Sequence, residues 1–247
     1  MKDLVTILSV ENVESVFQMY KTNITPDMKA VLINVSTNNE TYFFRDVKPF
    51  KVFSTNIIPE LLVRVTGNTQ LNVWSAASSS GQEAFSMLMS AQNTLGDSGS
   101  SRLSLFASDI STNALNKAKK GLYNGLDVQR GLPITFLMKH FTQVENENWQ
   151  INSNILSRVK FFEFNLLKDK FPKEMYHVIF CRNVLIYQDK DNKNKILNNV
   201  YDALTDGGYM FLGNGESLIG IDTSFERVTI DGYTFYKKEK KMKKTIK

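Results

Sequence analysis

The stretch that most constrains this chain is residues 71–95, LNVWSAASSSGQEAFSMLMSAQNTL. It opens with a short apolar run, Leu71-Asn72-Val73-Trp74, of the kind that forms a buried strand. Small residues follow at once, from Ser75, Ala76 and Ala77 through Ser78, Ser79 and Ser80 to Gly81. Glu83, Phe85, Met87, Leu88 and Met89 then begin a helical pattern that ends near Gly96. A strand, a small-residue turn and a helix make the first half of a nucleotide-binding βαβ unit. Small side chains let a ligand lie against the backbone, and the helix N-terminus presents N–H groups without intrahelical partners. The turn is not GxGxxG, so an ordinary strand-to-helix connection is the competing reading. The rest of the chain has to decide between them.

The alternation continues. Residues 103–107 read as a second strand that stops at Ser108-Asp109, and Ser111 caps a helix through Leu115, Ala118 and Gly121. An acidic residue just past the second strand is where such folds hold ribose hydroxyls. The plainer alternative is that Asp109 only favours the N-terminus of the next helix. Residues 96–101 are expected to be a flexible surface loop. Residues 122–158 interrupt the pattern, with a helix expected over 132–141 and a small hairpin over 144–151 around Asn146-Glu147-Asn148. Strands then follow at 159–164 and 175–181, the second apolar throughout, as suits a central parallel strand. It runs into Cys181-Arg182-Asn183-Val184-Leu185-Ile186-Tyr187. A helix starting at Asp189, a strand over 209–212 and a closing hairpin, 225–230 and 233–237 joined by Asp231-Gly232, complete a mostly parallel sheet.

Ahead of residue 71 the chain reads as helical. Leu4, Ile7 and Leu8, then Val13, Val16, Phe17 and Tyr20, fall at helical spacing. Thr25-Pro26-Asp27 is a helix start, with a hydroxyl cap before a proline, and Met28, Val31, Leu32 and Val35 supply its apolar face. Ser36-Thr37-Asn38-Asn39 is a polar break. After Glu40-Thr41-Tyr42-Phe43-Phe44-Arg45-Asp46, helical spacing resumes through Ile57, Ile58, Leu61, Leu62 and Val65 and stops at Gly67-Asn68. The expected division is a short helical domain over 1–38, a main domain over 39–236 with a β-insertion at about 142–158, and a basic tail over 237–247.

Composition narrows the function. With 247 residues and 42% hydrophobic content the chain can bury a full core, and no apolar run reaches membrane-spanning length. Its first residues show no signal-peptide pattern, which points to a cytoplasmic protein. Cys181 is the only cysteine, excluding an intrachain disulfide, and His140 and His177 lack metal-ligand spacing, so no metal is expected. Cys181, at a buried strand end, reads as a packing residue. The net charge of +5 reflects lysines crowded after residue 236, read as a solvated tail; the alternative is steering towards an acidic partner or membrane surface. No aromatic residues are interleaved there to suggest nucleic-acid stacking.

Several short pieces then line up in order. They are Asn39-x-Thr41 with Phe43-Phe44-Arg45-Asp46, Trp74 through Gly81-Gln82-Glu83, and Ala107-Ser108-Asp109-Ile110-Ser111. After them come 161–167, Ile179 through Tyr187, and Gly207-Gly208-Tyr209 with Gly213-x-x-Glu216-Ser217-Leu218. From about residue 39 to 236 the chain strongly resembles the CheR family, S-adenosylmethionine-dependent methyltransferases that esterify glutamates of bacterial chemoreceptors. The resemblance implies a Rossmann-like class I methyltransferase fold: a mostly parallel seven-stranded sheet with a C-terminal hairpin, a small N-terminal helical domain and an inserted β-subdomain. It further implies that Glu83 binds the amino group of S-adenosylmethionine and Asp109 the ribose hydroxyls. Asn165 and Leu166 match positions around the adenine, Ala77 lies in the cofactor turn, and Arg182-Asn183 stand beside the cofactor. Asn39, Thr41 and Arg45 match a segment that closes over it. Arg45 and Tyr187 are the catalytic candidates, Arg45 to hold the substrate carboxylate and Tyr187 to orient it. The structural alternatives are an ion pair of Arg45 with Asp46 or Glu40, and a core tyrosine with its hydroxyl at the rim.

The chain departs from the pattern of its better-known relatives in three places. The usual acidic pair and proline after the turn glycine are replaced by Gln82-Glu83-Ala84, and the N-terminal piece lacks a strongly basic helix. The 143–148 loop contains no glycine, unlike relatives that bind a receptor tether peptide there by strand addition. The expected partners are therefore the cytoplasmic helices of methyl-accepting chemotaxis receptors, met by a monomer acting independently of the tether. The product side of the cofactor would be S-adenosylhomocysteine. Two rivals stand beside this reading: a non-catalytic S-adenosylmethionine-binding sensing or scaffold module, and a methyltransferase of the same fold with another acceptor. An Asn/Asp-Pro-Pro-Tyr amine-methylation motif is absent after the fourth strand, where Cys181-Arg182-Asn183-Val184 stands instead.

Overall fold

A computed structural model describes residues 11–22, 24–221 and 223–239. The helical expectation at Leu4, Ile7 and Leu8 and most of the basic tail lie outside the described residues. Two helices come first, α1 (Val13–Thr22) and α2 (Pro26–Ser36). Thr25 caps α2 by accepting from the Met28 N–H, and Pro26 occupies the first turn. Next come α3 (Lys48–Val52), a π-helical turn (Phe53–Ile57) and α4 (Ile58–Arg64), whose Phe50, Phe53, Ile57, Ile58 and Leu61 are buried. The alternating part holds β1 (Leu71–Ala76), α5 (Gln82–Ser100), β2 (Leu103–Asp109) and α6 (Thr112–Lys120). The interruption holds β3 (Leu122–Tyr123), α7 (Gly125–Gln129), α8 (Ile134–His140), β4 (Phe141–Gln143), β5 (Trp149–Ile151) and α9 (Ser153–Leu156). It is followed by β6 (Val159–Glu163), β7 (Tyr176–Cys181), a 3₁₀ turn (Leu185–Tyr187), α10 (Lys190–Ala203), β8 (Leu204–Phe211), β9 (Phe225–Ile230) and β10 (Tyr233–Lys238).

The large sheet has the order β6-β2-β1-β7-β8-β10-β9. Strands β6, β2, β1, β7 and β8 pair in parallel, and β10 runs antiparallel between β8 and β9. This is the expected mostly parallel seven-stranded sheet with a terminal hairpin. Strand order reverses between β1 and β7, so the crevice at their carboxyl ends is where a ligand binds in such a sheet. Side chains of β1 alternate between two cores: Leu71 and Val73 join the α3–α5 face, while Trp74 and Ala76 join the face covered by α10. Trp74 is fully buried, stacks on Tyr176 with ring centroids 4.9 Å apart, and donates its indole N–H to Ser108 Oγ at 3.0 Å.

Three sequence expectations need correction. Residues 96–101 are not a surface loop: helix α5 breaks at Gly96 (φ 67°, ψ −173°) and resumes through Ser100, which is buried. Strand β8 begins at Leu204 rather than at 209, directly after α10: Leu204 pairs with Tyr176, the chain bulges through Gly207 (φ 71°), and pairing with β7 resumes at Tyr209 opposite Val178. The closing strand runs one residue past Lys237: Lys238, expected in the tail, belongs to β10, buries its stem and donates Nζ to the Leu204 carbonyl at 2.7 Å. The small hairpin forms as β4 and β5, turning at Asn146 and Glu147, both with positive φ, and β3 adds a third strand beside β5.

His140 ends α8, is buried and stacks on Phe136. Burial, with Lys139 adding repulsion, lowers its pKa from 6.5 to about 4. A buried neutral histidine binds fewer protons in the folded than in the unfolded chain. Its contribution to stability is therefore complete above pH 6.5 and is lost as pH falls from 6.5 towards about 4. Chemical denaturation across that window should show this slope, and His140→Phe should remove its share of it.

Candidate active site

A single cavity of about 490 Å³ opens at the carboxyl ends of β1, β2 and β7, a size within the range of small-ligand sites. Its floor is the 76–81 turn. Ala77 (φ 64°) and Ser79 (φ 50°) adopt left-handed conformations that non-glycine residues rarely hold, and Gly81 (φ 91°) completes the turn. A Cβ on Gly81 would lie 2.9 Å from Ala118 Cβ, so the close approach of turn and α6 requires glycine here. The turn is pinned by Ser78 N–H to the Ser108 carbonyl at 2.7 Å and by Tyr123 Oη to the Ser80 carbonyl at 2.7 Å. Such over-determination holds the strained backbone in place.

Glu83, on the first turn of α5, faces the cavity. Its Oε1 accepts from Ser75 Oγ at 2.8 Å and its Oε2 from Arg182 at 2.8 Å. Arg182 leaves β7 with its side chain fully enclosed; its other terminal nitrogen pairs with Asp46 Oδ2 at 2.6 Å and donates to the Arg45 carbonyl at 3.0 Å. Two carboxylates share one guanidinium, so the cluster carries a net charge of −1 (+1 for Arg182, −2 for Glu83 and Asp46) beside the cavity. A buried anionic site of this kind suits a cationic group. Asp46 reaches Arg182 through a distorted loop, with Phe44 (φ 52°), Asp46 (φ 70°) and Val47 (φ 54°) all left-handed. The Phe44 N–H anchors that loop to Ser86 Oγ at 2.9 Å.

Asp109 stands at the end of β2, almost fully buried. Its Oδ2 accepts from the Ser79 N–H at 2.8 Å and its Oδ1 from the Ser111 N–H at 2.9 Å. Burial raises its pKa, and backbone N–H groups of Ser111, Ser79 and Ile110 work against the rise. Each oxygen keeps a lone pair for a hydroxyl donor. Asn165 commits its side-chain oxygen to the Leu167 and Lys168 N–H groups at 2.9 and 3.2 Å, leaving its NH₂ as the group available to a ligand; Leu166 follows it on the cavity wall.

The segment after α2 crosses the mouth. Ser79 Oγ donates to the Asn39 carbonyl at 2.8 Å, and Asn38 Nδ2 donates to Tyr187 Oη at 2.9 Å. Thr41 and Arg45 line the same wall. Arg45 forms no ion pair with Asp46 or Glu40; it donates to the Glu40 carbonyl at 3.0 Å and lies over the Tyr42 ring. Tyr187 is not a core tyrosine: at 59% exposed it stands on the rim. Cys181 is buried and packs in the core beneath. All eleven residues singled out from the sequence therefore line one cavity: Asn39, Thr41, Arg45, Ala77, Glu83, Asp109, Asn165, Leu166, Arg182, Asn183 and Tyr187. Gln82, the departure from the family's acidic pair, does not line it; its Oε1 turns away and accepts from Ser80 Oγ at 2.9 Å.

Two supporting residues were not among the site candidates read from the sequence. One is Asp46. The other is Glu216, whose Oε2 accepts from the N–H groups of Asn183 (2.7 Å) and Gly213 (2.8 Å), and whose Oε1 accepts from those of Leu185 (2.8 Å) and Ile186 (3.3 Å). One carboxylate thus fixes the loop that carries Asn183 (φ 58°) and Tyr187. A Cβ on Gly213 would overlap Asn183 Nδ2, so any larger residue there displaces the Asn183 amide. The only sequence signal was an acidic residue three positions after a strand-end glycine. Glu216→Gln places an amide NH₂ against N–H donors, and urea denaturation should show a loss of about 2–3 kcal/mol.

Comparison with known proteins agrees with this architecture. Residues 39–234 match the family described as CheR methyltransferase, SAM binding domain. Among curated proteins, the chemotaxis protein methyltransferase of Vibrio anguillarum is 35% identical over 213 residues, covering 85% of this chain and 76% of that protein. Chemotaxis protein methyltransferase 1 of Vibrio cholerae serotype O1 is 34% identical over 238 residues, covering 95% and 85%. Chemotaxis protein methyltransferase 1 of Pseudomonas aeruginosa is 35% identical over 205 residues, covering 81% and 74%. With most of its length matched, and a doubly wound sheet whose switch point opens into an anion-lined cavity, this chain belongs to the CheR family of S-adenosylmethionine-dependent methyltransferases.

Proposed function

We propose that this protein transfers a methyl group from S-adenosylmethionine to glutamate side chains of methyl-accepting chemotaxis receptors, in the cytoplasm, as part of sensory adaptation. The observation that carries the reading is one cavity with an anionic Glu83 cluster at one wall and the buried Asp109 carboxylate at another. Such a cavity matches a ligand carrying an ammonium and a ribose diol. Glu83 would hold the ammonium, Asp109 the diol, and Asn165 and Leu166 the base, donating from Nδ2 and packing on its face. When bound, the cofactor supplies an activated methyl group on a sulfonium.

The protein's remaining task is to position the acceptor. A glutamate with a pKa of about 4.3 is ionised near neutral pH, so no general base is required. Arg45, at the rim and without a salt bridge to a carboxylate among the described residues, holds the acceptor carboxylate, and Tyr187 borders its path. Alignment of this kind is the main source of rate in such a transfer. Arg45→Ala should therefore lower turnover about 100-fold while changing cofactor affinity less than threefold. An equal loss in both would make Arg45 part of the cofactor pocket only.

The deciding experiment is transfer of labelled methyl from S-adenosylmethionine to membranes containing the host's chemoreceptors. Label on a receptor band that alkali releases is the expected result. Cofactor binding without transfer would instead favour a non-catalytic sensing or scaffold module. A titration with the receptor's C-terminal peptide tests tether independence, and no heat of binding is expected.

A further inference from the structure

A second groove, of about 380 Å³, lies on the other side of the Leu185–Tyr187 turn from the cavity. Ile219 (81% exposed) and Ile186 (48% exposed) stand at its edge with Ile221, an apolar strip unusual on an open surface. Lys190 and Lys193, one helical turn apart on α10, flank that strip. Neither lysine has a carboxylate within ion-pair distance among the described residues. Of the neighbouring acids, Asp189 caps α10 by accepting from the Asn192 N–H, Glu216 binds four backbone N–H groups, and the exposed Asp191 forms no ion pair with either lysine. The groove thus combines isoleucine side chains at its edge with a mixed polar floor and two lysines on one side. It adjoins the mouth at the consecutive pair Ile186 and Tyr187, one lining the groove and the other the cavity, with a wall held by Glu216.

Resting on the function proposed above, we infer that this groove seats the acidic, amphipathic helical segment flanking the acceptor glutamate. The segment's apolar residues lie on Ile186, Ile219 and Ile221, and its carboxylates face Lys190 and Lys193. Charge complementarity selects this occupant: a protein methylated on glutamates brings carboxylates to the mouth, and these lysines add two cations without ion pairs among the described residues to Arg45 at the rim. Rim charges of this type act on encounter and specificity.

The test is steady-state methylation of chemoreceptor membranes by the full chain and by a Lys190→Glu/Lys193→Glu double variant, with cofactor affinity measured in parallel by calorimetry. The expected result is an increase of about tenfold in KM for the receptor, with kcat and cofactor affinity unchanged. At roughly 1 M salt, where charges are screened beyond about 3 Å, that difference should shrink to within twofold. Ile219→Asp, in an exposed loop, should raise the same KM without altering cofactor affinity. A double variant with the wild-type KM overturns the groove assignment and leaves the methyltransferase reading standing. A KM increase that persists undiminished at high salt overturns charge recognition. Wild-type protein that binds cofactor and labels no receptor overturns the functional reading, and the groove assignment with it.

Discussion

Replacing Arg182 by alanine is expected to lower the free energy of unfolding by about 3–5 kcal/mol, the cost of leaving buried charges without their partner. The side chain is fully enclosed and bridges Glu83 and Asp46, themselves only 12% and 18% exposed. Without the guanidinium, two carboxylates face each other at the edge of the cavity. Burial already raises the Glu83 pKa against the opposing pull of Arg182 and Ser75, so losing Arg182 pushes it further up. The variant should therefore also bind S-adenosylmethionine poorly near neutral pH, because a protonated Glu83 offers an ammonium no charge. Urea titration measures the first effect and calorimetry the second. Arg182→Lys keeps the charge but not the fork, and should fall between wild type and alanine in both measurements. A stability loss below about 1 kcal/mol would mean that water takes over the role assigned here to the guanidinium.

The second large effect is expected at Asp109. Asp109→Ala should weaken cofactor binding about 100-fold, the scale of losing charge-assisted hydrogen bonds to a diol. Unchanged affinity would remove the ribose assignment. A pH series adds a check that a merely structural role would not produce. Burial raises the Asp109 pKa above the ordinary aspartate value, and only the ionised form can accept from two hydroxyls. Wild-type affinity should thus be full above the raised value and decline as pH falls through it, starting at higher pH than an exposed aspartate would give. In Asp109→Asn the Asp109 share of that decline should vanish, leaving the share due to Glu83, whose pKa burial also raises. For folding of the unliganded protein the sign is reversed: a carboxyl with a raised pKa contributes stability at low pH that is lost as pH rises through the folded value. The site binds its ligand best in the charge state that the empty fold favours least.

The sequence by itself determined the features that rest on neighbours in the chain. Apolar runs set β1, β2 and β7, and hydroxyl or carboxylate caps at Thr25, Ser111 and Asp189 set the starts of α2, α6 and α10. Small residues between Trp74 and Gln82 marked the turn, and chain order marked Glu83 and Asp109 as the acids nearest the switch point. Local spacing carries that information because a strand end and a helix start each need only a few residues. Tertiary structure alone decided the rest. Arg182 meets Asp46 across 136 positions, Asn38 meets Tyr187 across 149, and Glu216 reaches back to the Asn183 and Leu185 N–H groups. None of these pairs has a local signature, since a charged residue reads the same whether it meets solvent or a buried partner. The helix that resumes past Gly96 and the buried Lys238 were misjudged for the same reason. Serine and lysine are surface residues by preference, and only the tertiary fold buries Ser100 and Lys238.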